Sequence, residues 1–456
     1  MTRDARSDHR PRILAHYLAA AVAARLADEG ARVCLVLLAL RQTGSAGVGG
    51  AMIAALLVPH VVAAPLVGVV IDRARHPRWP LAAMVVIFAT SLLLVGLLLG
   101  QAPLGLVFAI LLVGGCCGPA ITGGLTSQLP GLVGANRSPR AFGLDSFFYN
   151  VASMAGPAIA AVTAATVNPM IAQCVLAGSA ALGAVGIATL PIAAHQTQSG
   201  KARPSLLSGA REIMHQPRLR IVTITSTLGQ IGPGALPVVA AVLATSVAKP
   251  ASSGLLLATI AAGSLVGSLL WTWHPIAAHR APLVTTVSMI GIGTPIAAAA
   301  ATPSLAAAAV LFGVSGIFIG PFGSALFTAR NQYATEANRT QVFTIGAGLK
   351  VTASAVGAAL IGLVTTMPAN ALLLLVATSP ILAGTLGTVL LTRHPTARNS
   401  RHVHEPRPAS LPRSSQIGGF LDFWRSNCGF AGVRLSLPAA ARRVTSNNSG
   451  SMNVPR

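Results

Sequence analysis

Residues 68–78 read Gly68-Val69-Val70-Ile71-Asp72-Arg73-Ala74-Arg75-His76-Pro77-Arg78. An apolar run that opens near residue 46 stops here on a carboxylate, and Arg73, Arg75 and Arg78 follow before a second apolar run opens near 81. Each run is at least about 20 residues, enough for a helix to cross a hydrocarbon core of about 30 Å. The stretch is therefore a basic turn between two membrane-spanning helices. A carboxylate at the end of one helix can accept hydrogen bonds from the positive N-terminus of a neighbouring helix, stabilising one closed arrangement by about 0.3–2 kcal/mol. Gly68, one turn earlier, allows such a neighbour to approach, and Arg73 is placed to pair across the loop.

The same alternation extends over the chain. Of 456 residues, 53% are hydrophobic and 9% charged, against about 25% charged in soluble domains, so a water-facing surface cannot be built. Apolar runs place spans near 13–40, 46–71, 81–100, 104–127, 143–166, 169–193, 218–243, 254–273, 282–301, 304–328, 341–366 and 369–392. The expected fold is an all-α integral membrane protein of twelve helices. Aromatics are only 4%, and the Ala- and Gly-rich composition suits helices that pack by close approach in lipid.

The formal charge of +22 would suggest nucleic acid in a soluble protein, but its distribution is topological. Arg73, Arg75, Arg78, Arg137, Arg140, Lys201, Arg203, Arg211, Arg218, Arg220, Arg280, Arg330 and Arg339 fall at connectors of one side, and only Arg41 and Lys249 at the other. Basic short loops stay cytoplasmic, so this side and both termini are expected in the cytoplasm of an inner-membrane protein, with no nucleic-acid partner. The first apolar run, from Ile13, continues past Arg25, Asp28 and Glu29 to Leu40 and reads as a retained span rather than a cleaved signal. Cys34, Cys116, Cys117 and Cys174 lie in apolar runs and read as packing residues, with no metal-ligand spacing.

A polar, basic stretch at 194–217 divides the chain into six-span blocks, 13–193 and 218–392, flanked by an N-terminal tail 1–12 and a basic tail 393–456 expected to be disordered. The blocks repeat one another. Arg140-Ala141-Phe142-Gly143-Leu144 through Ser153-Met154-Ala155-Gly156-Pro157-Ala158 aligns with Gln341-Val342-Phe343-Thr344-Ile345 through Ser354-Ala355-Val356-Gly357-Ala358-Ala359 at an offset of 201, and Gly118-Pro119 recurs as Gly320-Pro321 at 202. Repeated halves suit a transporter built of two bundles.

Residues 68–78 resemble the loop signature of the major facilitator superfamily, Gly-x-x-x-Asp-Arg-x-Gly-Arg-Arg, at its usual place between spans two and three; Gly68, Asp72, Arg73 and Arg78 match, while Arg75, His76 and Pro77 depart from it. The corresponding second-half loop, Trp271 to Arg280, keeps no Asp-Arg pair. Span five, with Gly143, Ala152, Gly156-Pro157 and Ala160-Ala161, is similar to the antiporter signature of that superfamily's drug/proton exporters, though several of its glycines are alanine. A plain packing helix is the rival reading. The span-four arginine of those exporters is absent, as Leu112 to Ile121 carry no charge. The resemblance implies two pseudo-symmetric six-helix bundles around a central cavity that opens alternately to each side.

Charges inside the spans are the candidate site. Arg25, Asp28, Glu29 and Arg32 share faces of the first helix, Arg25 with both acids and Asp28 with Arg32. Asp28 lies roughly 22 Å from Ile13, deep in the bilayer, where a lone charge costs about 2.5–3.5 kcal/mol. Either these residues neutralise each other and orient the helix, or they form a protonation or cation site facing the cavity, with Asp28 first and Glu29 second. Asp145 is expected to cap a helix or to pair with Arg137 or Arg140 at the gate. Lys350, matched by the repeat to Tyr149, either lines the cavity or snorkels; Gln230, His60 and Tyr149 are weaker cavity candidates. No nucleophile elbow, phosphate loop or metal cluster is present, so neither an enzyme nor a cofactor is expected. The reading is a monomeric secondary transporter, a proton-coupled exporter of small amphipathic or drug-like molecules. The alternatives are a facilitator or importer of small polar solutes, or a membrane sensor that no longer transports.

Overall fold

The apolar runs are helices. The computed structural model describes residues 5–192, 205–246, 252–273, 277–302, 304–364 and 366–393. Residues 194–204 of the central polar stretch, the loop residues 274–276 and the basic tail beyond Arg393 lie outside them. Among the described residues twelve rods follow in order: α1 Ala5–Thr43, α2 Ala46–Leu57 continued by Pro59–Arg73, α3 Arg78–Leu98, α4 Leu104–Val133, α5 Ser138–Thr166 and α6 Pro169–Ala188, then α7 Pro217–Ala244, α8 Ser252–Trp273, α9 Ala281–Ala299, α10 Leu305–Tyr333, α11 Arg339–Gly362 and α12 Ala369–Arg393. Eleven are long and apolar enough to cross a membrane. The other, α1, is 39 residues long and carries the four charges at its middle. The described residues contain no strand.

Several rods outrun their apolar stretches at the basic end, where the Arg-rich connectors lie. α4 extends to Val133, α5 starts at Ser138 and α10 reaches Tyr333. Their extra turns bury Gln128, Ser138 and Arg330 against other helices rather than exposing them to lipid, so a hydropathy boundary falls short of the helix end. α1 likewise begins at Ala5, inside the stretch expected to be a tail, and a connector helix, Ser208–His215, forms within the stretch expected to be only a loop.

Prolines set the breaks. Pro59 divides α2 at Val58, and Pro119 precedes a wide turn in α4 where Leu125 N–H reaches the Ala120 carbonyl, five residues back. α7 is interrupted around Gly229–Gln230 and again at Ala235, so Gln230 sits at a discontinuity. Within the first bundle α1 packs on α5 and α6; within the second, α10 packs on α8 and α9. The α8–α10 contact is backbone to backbone: a Cβ on Gly263 or Gly316 would strike the main chain of the facing helix. The bundles meet along α2–α11 and α5–α8, which exchange under the repeat.

Candidate transport site

Asp72 ends α2 and is buried. Its Oδ1 accepts from Thr340 N–H at 3.1 Å and its Oδ2 from Gln341 N–H at 3.0 Å. These are free amides of the first turn of α11, which carry partial positive charge, so a carboxylate of one bundle caps a helix of the other. Gly68 makes the approach possible, because a Cβ there would come within 2.5 Å of Gln341 Cα. Thr344 Oγ1 donates to the Ala64 carbonyl at 2.8 Å, and Ser127 Oγ to Thr340 Oγ1 at 3.1 Å, adding α2 and α4 to the same seam. Arg73 and Arg140 are exposed at this end; the Arg78 guanidinium lies 5.2 Å from the centroid of the Trp79 ring.

Above the cap, three rings fill the space between bundles. Phe142 of α5 lies 6.1 Å from both Phe327 of α10 and Phe343 of α11, and the last two are 6.0 Å apart. Phe142 and Phe343 are repeat-matched residues, so the pseudo-symmetry axis runs between them. Nearer mid-span, Asn150 Nδ2 donates to Ser268 Oγ at 3.0 Å. The connector helix braces the seam from outside. Gln341 Oε1 accepts from Gly209 N–H and its Nε2 donates to the Ser205 carbonyl, while the Glu212 carboxylate accepts from Thr335 and Asn338. Gln341 and Glu212 escaped the sequence reading as site residues because Gln341 stands there only as the first residue of a span and of the repeat, and Glu212 lies in the polar stretch outside any motif.

Replacing Asp72 by Ala should cost about 0.5–2 kcal/mol of this closed state, the usual loss for a helix cap, or roughly a 2- to 30-fold smaller closed population, and should slow turnover. Distance distributions between spin labels at Arg140→Cys and Arg280→Cys would report it. An unchanged distribution would leave the cap with no part in gating.

The charges of α1 divide between two centres. Arg25 Nη1 bonds Asp145 Oδ1 of α5 at 2.8 Å, with both side chains essentially inaccessible. Tyr17 Oη donates to the same oxygen at 3.0 Å and Thr126 Oγ1 of α4 to Oδ2 at 2.8 Å, while the guanidinium lies 4.9 Å from the centroid of the Tyr149 ring. Asp145 thus pairs with Arg25 and with neither Arg137 nor Arg140, which point away from it as exposed residues of the basic end. Arg25 in turn leaves Asp28 and Glu29, its neighbours in sequence, to Arg32. Arg32 reaches Asp28 Oδ2 at 3.2 Å and Glu29 Oε2 at 2.7 Å. Tyr149 Oη stands 3.5 Å from Glu29 Oε1, and Asp28, 1% exposed, leaves Oδ1 without a partner. His60 of α2 is buried nearby with both ring nitrogens unpartnered.

Gly143 and Gly156 serve different contacts. Gly143 faces Thr272 of α8 across the bundles, whereas Gly156 meets Leu26 and Gly30 of α1 in its own bundle. Pro157 sits inside α5, which runs unbroken from Ser138 to Thr166. The Lys350 Nζ lies 5.0 Å from the centroid of the Phe322 ring of α10. Arg330, counted from sequence among the loop arginines, is buried at 1% exposure.

No family model matches the chain. It is 29% identical over 381 residues, 80% of its length and 92% of the relative's, to an uncharacterized MFS-type transporter, y4rN, of Sinorhizobium fredii (strain NBRC 101917 / NGR234). Among solved structures, its fold is similar to a bacterial homologue of the iron transporter ferroportin in an outward-facing state, with TM-score 0.66 at 15% identity over 84% of this chain and 98% of the other. It is also similar to the human organic anion transporter MFSD10, with TM-score 0.66 at 13% identity over 83% and 99%. A third likeness is to the proton:xylose symporter XylE, with TM-score 0.60 at 13% identity over 82% and 94%. With the turn at 68–78, the helices in chain order and the two facing bundles, these likenesses give the chain the fold of major facilitator superfamily transporters, that of a multi-pass membrane protein.

Proposed function

We propose that this transporter is a proton-coupled exporter of small amphipathic molecules in the inner membrane, with its basic end in the cytoplasm and Asp28 and Glu29 as the coupling carboxylates. The observation that carries the reading is a charge imbalance in α1. Arg25 is committed to Asp145, so two buried carboxylates share the single Arg32, and Asp28 Oδ1 accepts from nothing. An excess carboxylate at this depth costs about 2.5–3.5 kcal/mol, which a bound proton relieves. A proton bound there removes the excess charge, and rocking of the bundles would alter the access of the centre to water from each side.

The seam at Asp72 and the three phenylalanines close the basic end, which corresponds to an outward-facing member of the cycle. A proton bound from outside and released inside drives the molecule the other way. At 100 mV it supplies about 2.3 kcal/mol, enough to sustain a gradient of roughly 50-fold. The full chain in proteoliposomes, given an imposed pH gradient and a panel of amphipathic compounds, should move compounds against their gradient, with direction reversing when the pH gradient is reversed. Movement indifferent to collapse of the pH gradient would overturn proton coupling and favour a facilitator.

A further inference from the structure

The second bundle carries one buried cation, Arg330, and one half-buried cation, Lys350, with no buried acid among its described residues to balance them. From 217 to 393 the sequence holds one carboxylate, Glu336, which is 88% exposed in the turn before α11 and lies 3.7 Å from Arg339. Arg330 of α10 is 1% exposed, and its Nε and Nη2 have no hydrogen-bond partner. Its guanidinium lies against Gly346 of α11, where a Cβ would collide with it. Lys350 stands one turn beyond Gly346, about 16 Å along α11 from Arg339, which is mid-bilayer depth. Lys350 is half-buried with its ammonium over Phe322.

This differs from α1, where the buried Arg25 and the partly exposed Arg32 both have carboxylate partners. Buried guanidinium donors are ordinarily satisfied, and two like charges in one low-dielectric bundle repel. Among the described residues, nothing resident repairs either defect. An anion held between α10 and α11 repairs both: it accepts from the orphaned Arg330 donors and neutralises Lys350. The Phe322 ring meanwhile keeps the ammonium at mid-bilayer depth instead of letting it reach for water.

We propose that Lys350 and Arg330 are the recognition site for an anionic group, such as a carboxylate, on the transported amphipathic molecule. The inference rests on the transporter reading above and names its substrate class. The acids of α1 and the cations of α10 and α11 would then divide the work, with the first bundle holding the proton and the second holding the anion.

The test uses the full-length protein in detergent and three matched pairs of probes: benzoate, 1-naphthoate and octanoate, each against its own amide. At least one acid should bind ten or more times tighter than its amide and tighter than chloride. Lys350→Met and Arg330→Met should erase that preference, Lys350→Arg should keep it, and Lys350→Glu should transfer it to the corresponding amine. Equal binding of every acid and its amide by the unmodified chain, or binding no tighter than that of chloride, would overturn the site. So would an undiminished acid preference in Lys350→Met. If Lys350 instead serves as a counter-ion for Asp28 or Glu29 in another conformation, Lys350→Met will stop movement of charged and neutral compounds alike, which also overturns it. Lys350-dependent binding of an acid that stays put in proteoliposomes upholds the anion site and removes the transport reading. pH-driven, Asp28-dependent movement of compounds without any acid preference does the reverse.

Discussion

Asp28→Asn should reduce proton-driven accumulation from the roughly 50-fold that one proton sustains at 100 mV to no accumulation at all. The amide has the shape of the carboxylate and can still accept from Arg32 Nη2, which reaches Asp28 Oδ2 at 3.2 Å, so insertion and packing of α1 should survive. It cannot take up a proton, and it leaves Arg32 and Glu29 as a neutral pair with no excess charge. Downhill exchange of compound across the liposome membrane should therefore persist while uphill movement is lost, and the two assays together separate uncoupling from misfolding. Undiminished uphill transport in Asp28→Asn at every pH would remove Asp28 from the mechanism. Glu29→Gln is the companion variant: Glu29 makes the shorter contact to Arg32, 2.7 Å, so its loss should disturb the position of Arg32 as well as coupling.

The second large effect concerns stability. Asp145→Leu should destabilise the fold by about 3–5 kcal/mol, because it leaves the Arg25 charge buried with no counter-ion. Tyr17 and Thr126 would lose their shared acceptor as well. The double variant Arg25→Met with Asp145→Leu removes the charge along with its partner and should recover most of that loss, since replacing a whole buried ion pair by apolar residues is often close to neutral. Unfolding in mixed micelles measures both. If the double variant is as unstable as Asp145→Leu alone, the cost comes from packing around the leucine, and the ion pair is not what holds α1 to α5.

Architecture was open to inspection before any coordinates. Apolar runs of bilayer length, arginines on alternate connectors and the repeat of 140–158 at 341–359 describe twelve helices in two halves, because length, hydropathy and chain order are one-dimensional properties. The turn at 68–78 placed a carboxylate at a helix end for the same reason. Helix ends at the basic side were harder to read, since Gln128, Ser138 and Arg330 are polar residues buried against other helices.

The partners of the charges were a different matter. Arg25 stands three and four residues from Asp28 and Glu29 on its own helix, yet its carboxylate is Asp145, 120 positions away. Spacing along one helix says which residues share a face, whereas a buried charge takes the partner that a neighbouring helix brings to that face. Here the close crossing of α1 and α5 at Gly30 and Gly156 sets that geometry. Arg330 shows the same limit from the other side, as an arginine near a helix end that looked solvated and is buried by Gly346 of α11. The chain's order of letters thus determined what spans the membrane and which way the halves repeat. Only the packing of helices against one another decided which charge is paired, which carboxylate oxygen is left over and which buried arginine has no carboxylate beside it, because electrostatic energy in a low-dielectric interior depends on distance through space.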